Sequence, residues 1–274
     1  MAKIKELPWN EQFAIAWAKM APPARPSQTE QRFYEKIIKQ VIKDNKNPRI
    51  LILGSTPEFR DILLRNKVKP ICCDINRDVF KSLTRIMRRR GVETFILSDW
   101  IKLKTKARFD LVLGHQVINM LSPVKQAVFF KQIYRHLKPG GLFITSVVIR
   151  ANDRAISLLS GFKRYRKFKT INIRDAFSTI HPDLLLAISG HTGTYSPTQC
   201  LKIVDQLYRG SEISKKERDI YFKIMPSNDL KVYIPNQKSI EALIKKYLKI
   251  LLIYHYPTKY YNSKHWPVYL LRKR

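Results

Sequence analysis

Apolar and polar positions follow two different periods along the chain. In "QTEQRFYEKIIKQVIK" at 28–43, Phe33, Ile37, Ile38 and Val41 recur at helical spacing, which predicts an amphipathic helix. "NKNPR" at 45–49 interrupts it, and a short unbroken apolar run follows at 50–53. Such a run suits a parallel strand buried on both faces. Helix resumes at Pro57 with Phe59, Ile62 and Leu63 on one face, and "PICCDI" gives a second strand ending at Asp74. "DVFKSLTRIMRRRG" reads as a helix closed by Gly91, "ETFILSDW" as a third strand and "FDLVLG" as a fourth. "VKQAVFFKQIYRHL" is a helix and "GLFITSVVI" a fifth strand. Strands alternating with helices predict an α/β fold, a doubly wound sheet with right-handed crossovers. Ligands of such sheets bind at the carboxyl ends of the strands, so residues 54–58, Asp74, Asp99 and 114–119 should share one neighbourhood.

The alternation lapses at Arg150. From there to about Asn236 the pattern predicts short helices and polar loops. "SIEALIKKYLKI" at 239–250 then runs from helix into a strand near 250–256, and "WPVYLLRKR" ends the chain as another. The two should form an antiparallel pair at the sheet edge. The expected organisation is an N-terminal helical extension or lid at 1–46, a core at 47–150 and 237–274, and a mainly helical insertion at 151–236 that covers the substrate. In the extension, "PPARPSQTE" follows Trp9 and Trp17; it either folds over the cofactor as a lid, bringing Arg25 to a cofactor or acceptor carboxylate, or is a surface linker docking one helix.

The turn after the first strand, "LILGSTPEFRD", has a single glycine, Gly54. Thr56 can cap a helix that starts at Pro57, or Ser55 can cap it with Glu58 closing a capping box. A pyrophosphate is disfavoured beside Glu58, whereas an ammonium or sulfonium is tolerated there. A dinucleotide fingerprint would need glycine at Thr56 and Phe59, which disfavours a dehydrogenase. Asp74 stands where a carboxylate accepts both hydroxyls of a ribose, although it could also cap a helix. Asp99, at the end of the third strand, could accept from an adenine amino group with Trp100 stacked nearby, or simply cap a loop.

Taken in order, "LILGSTPEFRD", "ICCDIN", "LSDW", "FDLVLGHQVINML" and "HLKPGGLFI" resemble the class I S-adenosylmethionine-dependent methyltransferases. The resemblance covers roughly 47–149 and the terminal strand pair. It implies a seven-stranded Rossmann-like sheet with an antiparallel last strand, and S-adenosyl-L-methionine as cofactor. It further implies that Gly54, Ser55 and Thr56 wrap the methionine portion and that Asp74, followed by Ile75, holds the ribose. Asp99 and Trp100 would hold adenine, and Gly114 and His115 would lie by the transferring methyl. Ile52 stands where the family usually has an acidic residue, and Thr56 and Glu58 replace loop glycines. A branch with "LGxTPExRD" shares these departures, with Glu58 or Arg60 supplying methionine-end contacts.

Methyl transfer needs a base only when the acceptor must lose a proton. His115 is the candidate for that role, the other reading being a strand-end residue that shapes the pocket. Asn119 is a candidate for orienting the acceptor. "GHQVIN" lacks the (D/N)PP(Y/F) of amino-methylating nucleic-acid enzymes, and no cysteine sits there for cytosine-C5 chemistry.

Composition enters through charge: the formal net charge is +31, which attracts polyanions such as RNA, though an AT-rich genome yields the same bias. "GFKRYRKFKT" at 161–170 alternates basic and aromatic residues, as single-stranded nucleic-acid binders and solvated basic helices both do. "SGHTGTYS" at 189–196, with His191, suits a site loop or an ordinary turn. The first expectation is a methyltransferase with a small-molecule acceptor. An RNA methyltransferase comes second, and a non-catalytic nucleic-acid-binding protein of the same fold third. Cys72, Cys73 and Cys200 read as reduced, buried thiols without zinc-ligand spacing, so no metal is expected. No apolar run reaches the roughly 18 residues of a membrane helix and no signal segment is evident, so a cytoplasmic protein without a membrane partner is expected.

Overall fold

The structure is a computed structural model that describes residues 17–151, 155–168, 172–190 and 192–274. Trp9, Lys169, Thr170 and His191 lie outside the described residues. In chain order the first elements are α1 (Gln28–Asp44), β1 (Ile50–Leu53), α2 (Pro57–Arg65), β2 (Ile71–Asp74), α3 (Arg77–Arg85) and β3 (Thr94–Leu97). After a 3-10 turn at Trp100–Lys102 come β4 (Phe109–His115), a second 3-10 turn at Val117–Met120, α4 (Pro123–His136) and β5 (Leu137–Ser146). The insertion holds α5 (Ser160–Phe168), α6 (Ile173–Ser189), β6 (Thr194–Tyr195), α7 (Pro197–Arg209), α8 (Lys215–Ile224) and β7 (Val232–Tyr233). The chain closes with α9 (Gln237–Tyr247), β8 (Leu248–Tyr254) and β9 (Val268–Lys273).

The main sheet has seven strands in the order β3-β2-β1-β4-β5-β9-β8. β1 to β5 pair in parallel, and β9 runs antiparallel between β5 and β8. This is the doubly wound, Rossmann-like methyltransferase sheet with its reversed last strand, carrying a helical insertion. Because side chains alternate along a strand, Ile50 and Ile52 join one core and Leu51 and Leu53 the other. The first core takes Tyr34 and Ile38 of α1 with Phe59 and Leu63 of α2. The second takes Phe129 and Ile133 of α4 with Ile240 and Ile244 of α9.

Three expectations about elements need correction. The buried stripe of α1 is Glu30, Tyr34, Ile38 and Val41, with Phe33 and Ile37 on its flank. Tyr34 sets that phase: its ring stacks on Phe59 and its hydroxyl donates to the Gly114 carbonyl at 2.7 Å. The helix expected to reach Gly91 ends at Arg85. There the backbone N–H groups of Arg88 and Arg89 donate to the Asp61 carboxylate, at 3.1 and 2.8 Å, and draw the chain out of helix. The insertion is not a set of short helices and polar loops: α6 has 17 residues and is buried along most of its length. Its packing on α5 requires Gly161, where a Cβ would sit 2.4 Å from the Ile180 carbonyl oxygen. Phe162, Phe177, Leu184, Val204 and Tyr221 form a core there, while Leu185 and Leu186 reach the core against the sheet.

Candidate functional site

Gly54 ends β1 with φ of +86°, a conformation that suits glycine, and its N–H donates to the Cys73 carbonyl at 2.8 Å. The same carbonyl accepts from the indole Nε1 of Trp100, also at 2.8 Å. Trp100 is thereby fixed against the turn, its Cζ2 lying 3.7 Å from where a Gly54 Cβ would stand. Asp74 ends β2 and is 9% exposed. Its carboxylate accepts from the Ser55 hydroxyl at 2.8 Å and from the Asn76 N–H at 3.3 Å. Burial raises the Asp74 carboxyl above its ordinary range, against the lowering effect of these hydrogen bonds. Asp99 caps the 3-10 turn after β3 by accepting from the Ile101 N–H at 3.1 Å.

Gly54, Ser55, Thr56, Asp74, Ile75, Asp99, Trp100 and His115 all line one cavity of about 330 Å³. That volume lies within the range of small-molecule sites, roughly 300–1,000 Å³. Trp17, Met20, Pro23 and Ala24, from the segment before α1, also line it. The cavity continues into the insertion, where Phe177, His181, Leu185, Tyr195, Ile224 and Met225 form its wall. Sequence reasoning named the insertion as a cover but none of these residues, because apolar side chains at helical spacing read as core. Burial drives the His181 imidazole down to about 3, so it is neutral at ordinary pH, with Nδ1 hydrogen-bonded to the Tyr221 hydroxyl at 2.8 Å.

His115 ends β4 with its side chain 3% exposed. Its Nδ1 lies 3.1 Å from Oε1 of the fully buried Glu30 and 2.8 Å from the Ser146 hydroxyl. Nε2, on the other edge of the ring, is buried without a hydrogen-bond partner. Glu30 was also missed, although one signal was available: it stands in register with Tyr34 and Ile38 at four-residue steps.

Five residues expected at the site, Glu58, Arg25, Gly114, Asn119 and Arg60, stand elsewhere. Glu58 is not on the cavity wall, because Arg25 reaches across to its carboxylate; the Nε contact is 2.8 Å. Arg25 is thus committed to Glu58 rather than turned to a ligand. Neither expected cap forms at α2, since the Thr56 side chain makes no capping bond and Ser55 is turned to Asp74. Gly114 lies beneath the wall, where a Cβ would come 2.8 Å from Val117 Cγ2. Asn119 is spent on backbone: it donates to the Val148 and Tyr233 carbonyls at 2.8 and 2.7 Å and accepts from the Val148 N–H at 2.9 Å. Arg60 is fully buried and paired with Glu93, away from the cavity.

The basic–aromatic run also reads differently in three dimensions. Phe162 and Tyr165 point into the insertion core, while Arg164 pairs with Asp183 and Arg166 with Glu217. Those two rings cannot stack on bases, whereas Phe168, the third ring of the run, is exposed. All three cysteines are free and buried, and among the described residues no group of three His, Cys, Asp or Glu is placed to hold a metal ion. Among the described residues no helix is long and apolar enough to cross a membrane.

The comparisons with known proteins agree with this architecture. A methyltransferase of Clostridium acetobutylicum, described as S-adenosylmethionine-dependent, superposes with a TM-score of 0.56 at 13% identity, covering 96% of this chain and 98% of that one. Magnesium protoporphyrin IX methyltransferase of Synechocystis, solved with S-adenosylhomocysteine, gives 0.54 at 10% identity, covering 97% and 96%. A Rhodobacter sphaeroides protein assigned to the Zn-dependent alcohol dehydrogenases gives 0.56 at 17% identity, covering 97% and 96%. At such identities the likeness establishes the fold alone. No curated protein matches the chain. Residues 54–145 match the family model of a methyltransferase domain, and they carry the strand-end wall of the cavity within a sheet of methyltransferase topology.

Proposed function

We propose that the protein is an S-adenosylmethionine-dependent methyltransferase acting on a small-molecule acceptor. The observation that carries this reading is the pair of Asp74 and Trp100 on one cavity wall at the strand ends, inside the matched domain. The residues present fit the cofactor. A buried carboxylate answers a ribose diol, Ile75 and the pinned indole offer apolar faces for a purine, and the Gly54 turn permits close approach. Bound there, S-adenosylmethionine supplies a methyl group on a sulfonium. Asp74 would hold the ribose, Asp99 and Trp100 the adenine, and Ser55 and Thr56 the methionine end. The insertion at 151–236 would serve as the acceptor cover over the core at 47–150 and 237–274, with the extension at 1–46 as its lid.

A small acceptor is favoured over RNA by where the charge lies. The chain has 52 lysines and arginines, yet Lys125, exposed at the rim, is the one that lines the cavity among the described residues. A polyanion would find its counter-charges outside, and of the three rings of the basic–aromatic run Phe162 and Tyr165 are buried while Phe168 alone is exposed. The test is calorimetric titration with S-adenosylmethionine and S-adenosylhomocysteine in moderate salt. Micromolar binding is the expected result, and no binding by folded, ligand-free protein would defeat the reading.

A further inference from the structure

Glu30 is fully buried, and among the described residues it pairs with no lysine or arginine. A carboxylate in that position is costly unless a proton or a cation compensates it. The phenols of Tyr34, Tyr256 and Tyr261 face it, each raised by burial with the Glu30 charge adding to the effect, so they stay neutral. The remaining compensating group is the imidazole of His115, 3.1 Å away. Around that ring the other neighbours among the described residues are uncharged: the Ser146 hydroxyl, the Tyr34 hydroxyl bonded to the Gly114 carbonyl and the Ser146 N–H, and the indole of Trp17 at its edge. With Nδ1 turned to Glu30, Nε2 is left as a buried nitrogen without a partner, on a residue that lines the cavity.

The far half of the cavity restricts what can meet that nitrogen. Phe177, Leu185, Tyr195, Ile224 and Met225 are apolar or aromatic, and His181 is neutral. Among the described residues Lys125, exposed at the rim, is the one cation on the cavity wall and the insertion side adds none, while the carboxylates of the wall, Asp74 and Asp99, stand at the strand ends. We infer that the acceptor is a neutral, largely apolar hydroxyl compound of aromatic-ring size, deprotonated by Nε2 of His115, with Glu30 as the positioning residue that fixes the tautomer. The inference rests on the methyltransferase reading and adds its acceptor chemistry. In the step, the acceptor O–H bond breaks and its proton passes to Nε2. The oxygen lone pair forms the new bond to the methyl carbon, and the electron pair of the broken carbon–sulfur bond stays on sulfur as the thioether. The imidazolium then returns its proton to water.

The experiment is nitrogen-15 spectroscopy of imidazole-labelled protein saturated with S-adenosylhomocysteine, with His115 assigned by H115Q. The expected wild-type state of the neutral ring is the Nδ1–H tautomer with Nε2 bare. In E30Q the carboxylate facing Nδ1 is replaced by a weaker, neutral acceptor, so the Nε2–H tautomer of His115 should become populated. Addition of 2-naphthol should shift the Nε2 resonance, and 2-methoxynaphthalene, which has no proton to give, should bind without that shift. An Nε2–H tautomer in wild type overturns the proposal without any variant having to fold. An unchanged His115 tautomer in folded E30Q, or no binding of 2-naphthol up to its solubility limit, overturns it as well. These three outcomes leave the methyltransferase reading intact, whereas failure of S-adenosylhomocysteine to bind removes both.

Discussion

The two ends of the cavity each present a buried histidine, in opposite settings. His115 sits at a strand end with a carboxylate on Nδ1 and a hydroxyl beside it. His181 sits in the middle of α6, stacked on Phe177 at 4.8 Å and bonded to a phenol. Burial without a carboxylate leaves His181 a neutral aromatic wall, driven down to about 3. The contrast teaches that enclosure alone makes an imidazole inert, and that a proton-handling role needs the compensating charge which α1 brings to β4. It also separates the two halves by composition: the strand ends hold directed polar groups, and the insertion holds apolar surface.

The largest expected effect falls on the polar end. With 2-naphthol as acceptor, H115Q should lower the release of S-adenosylhomocysteine by about 10²–10⁴-fold, the usual worth of a positioned base. Cofactor affinity by calorimetry should stay near wild type, and a parallel loss of both would blur the distinction between the ends. Next, D74A should weaken S-adenosylmethionine binding about ten- to a hundredfold, the equivalent of about 1.5–3 kcal/mol for hydrogen bonds to a charged group. Because the Asp74 carboxyl is raised, wild-type affinity should fall as the pH drops from neutral, and D74N should lose that dependence. At the apolar end, the half-buried Met225 offers a milder probe. M225W should cut 2-naphthol affinity about tenfold, or about 1.4 kcal/mol, without changing cofactor affinity.

The last effect concerns stability. The unfolded chain binds a proton at His181 between its ordinary value near 6.5 and about 3, and the folded chain refuses it. Stability should therefore fall as the pH is lowered through that window, by at most about 1.4 kcal/mol per pH unit for this one group. His136 and His265, also lowered by burial, add to the slope, while the raised carboxyls of Asp74 and Asp183 oppose it. Urea denaturation of H181Q at several pH values should show the shallower slope, and an unchanged slope would mean that His181 is not the neutral wall described.

How much of this was legible in the sequence follows the range of the interactions. Continuous apolar runs and turn residues are local, so β1 to β5 and the position of Asp74 could be read directly. Glu30 could not, because Phe33 and Ile37 supplied a competing apolar stripe, and only Tyr34 meeting Phe59 and Gly114 decides which face turns inward. The early end of α3 depends on Asp61, 27 residues before the first amide it takes. Asn119 looked like chemistry for the opposite reason: a buried amide holding two separate segments of backbone has the same sequence appearance as one facing a ligand.

Three of the four tryptophans, Trp17, Trp100 and Trp266, line the cavity. The protein consequently carries its own optical reporter, since any occupant alters the surroundings of most of its indoles. Trp100 stands at the strand ends, tied to Cys73, whereas Trp266 is packed with Leu185 and Val232 toward the insertion. Replacing one or the other by phenylalanine would divide the emission change between the two ends, so that filling of each could be followed separately by light.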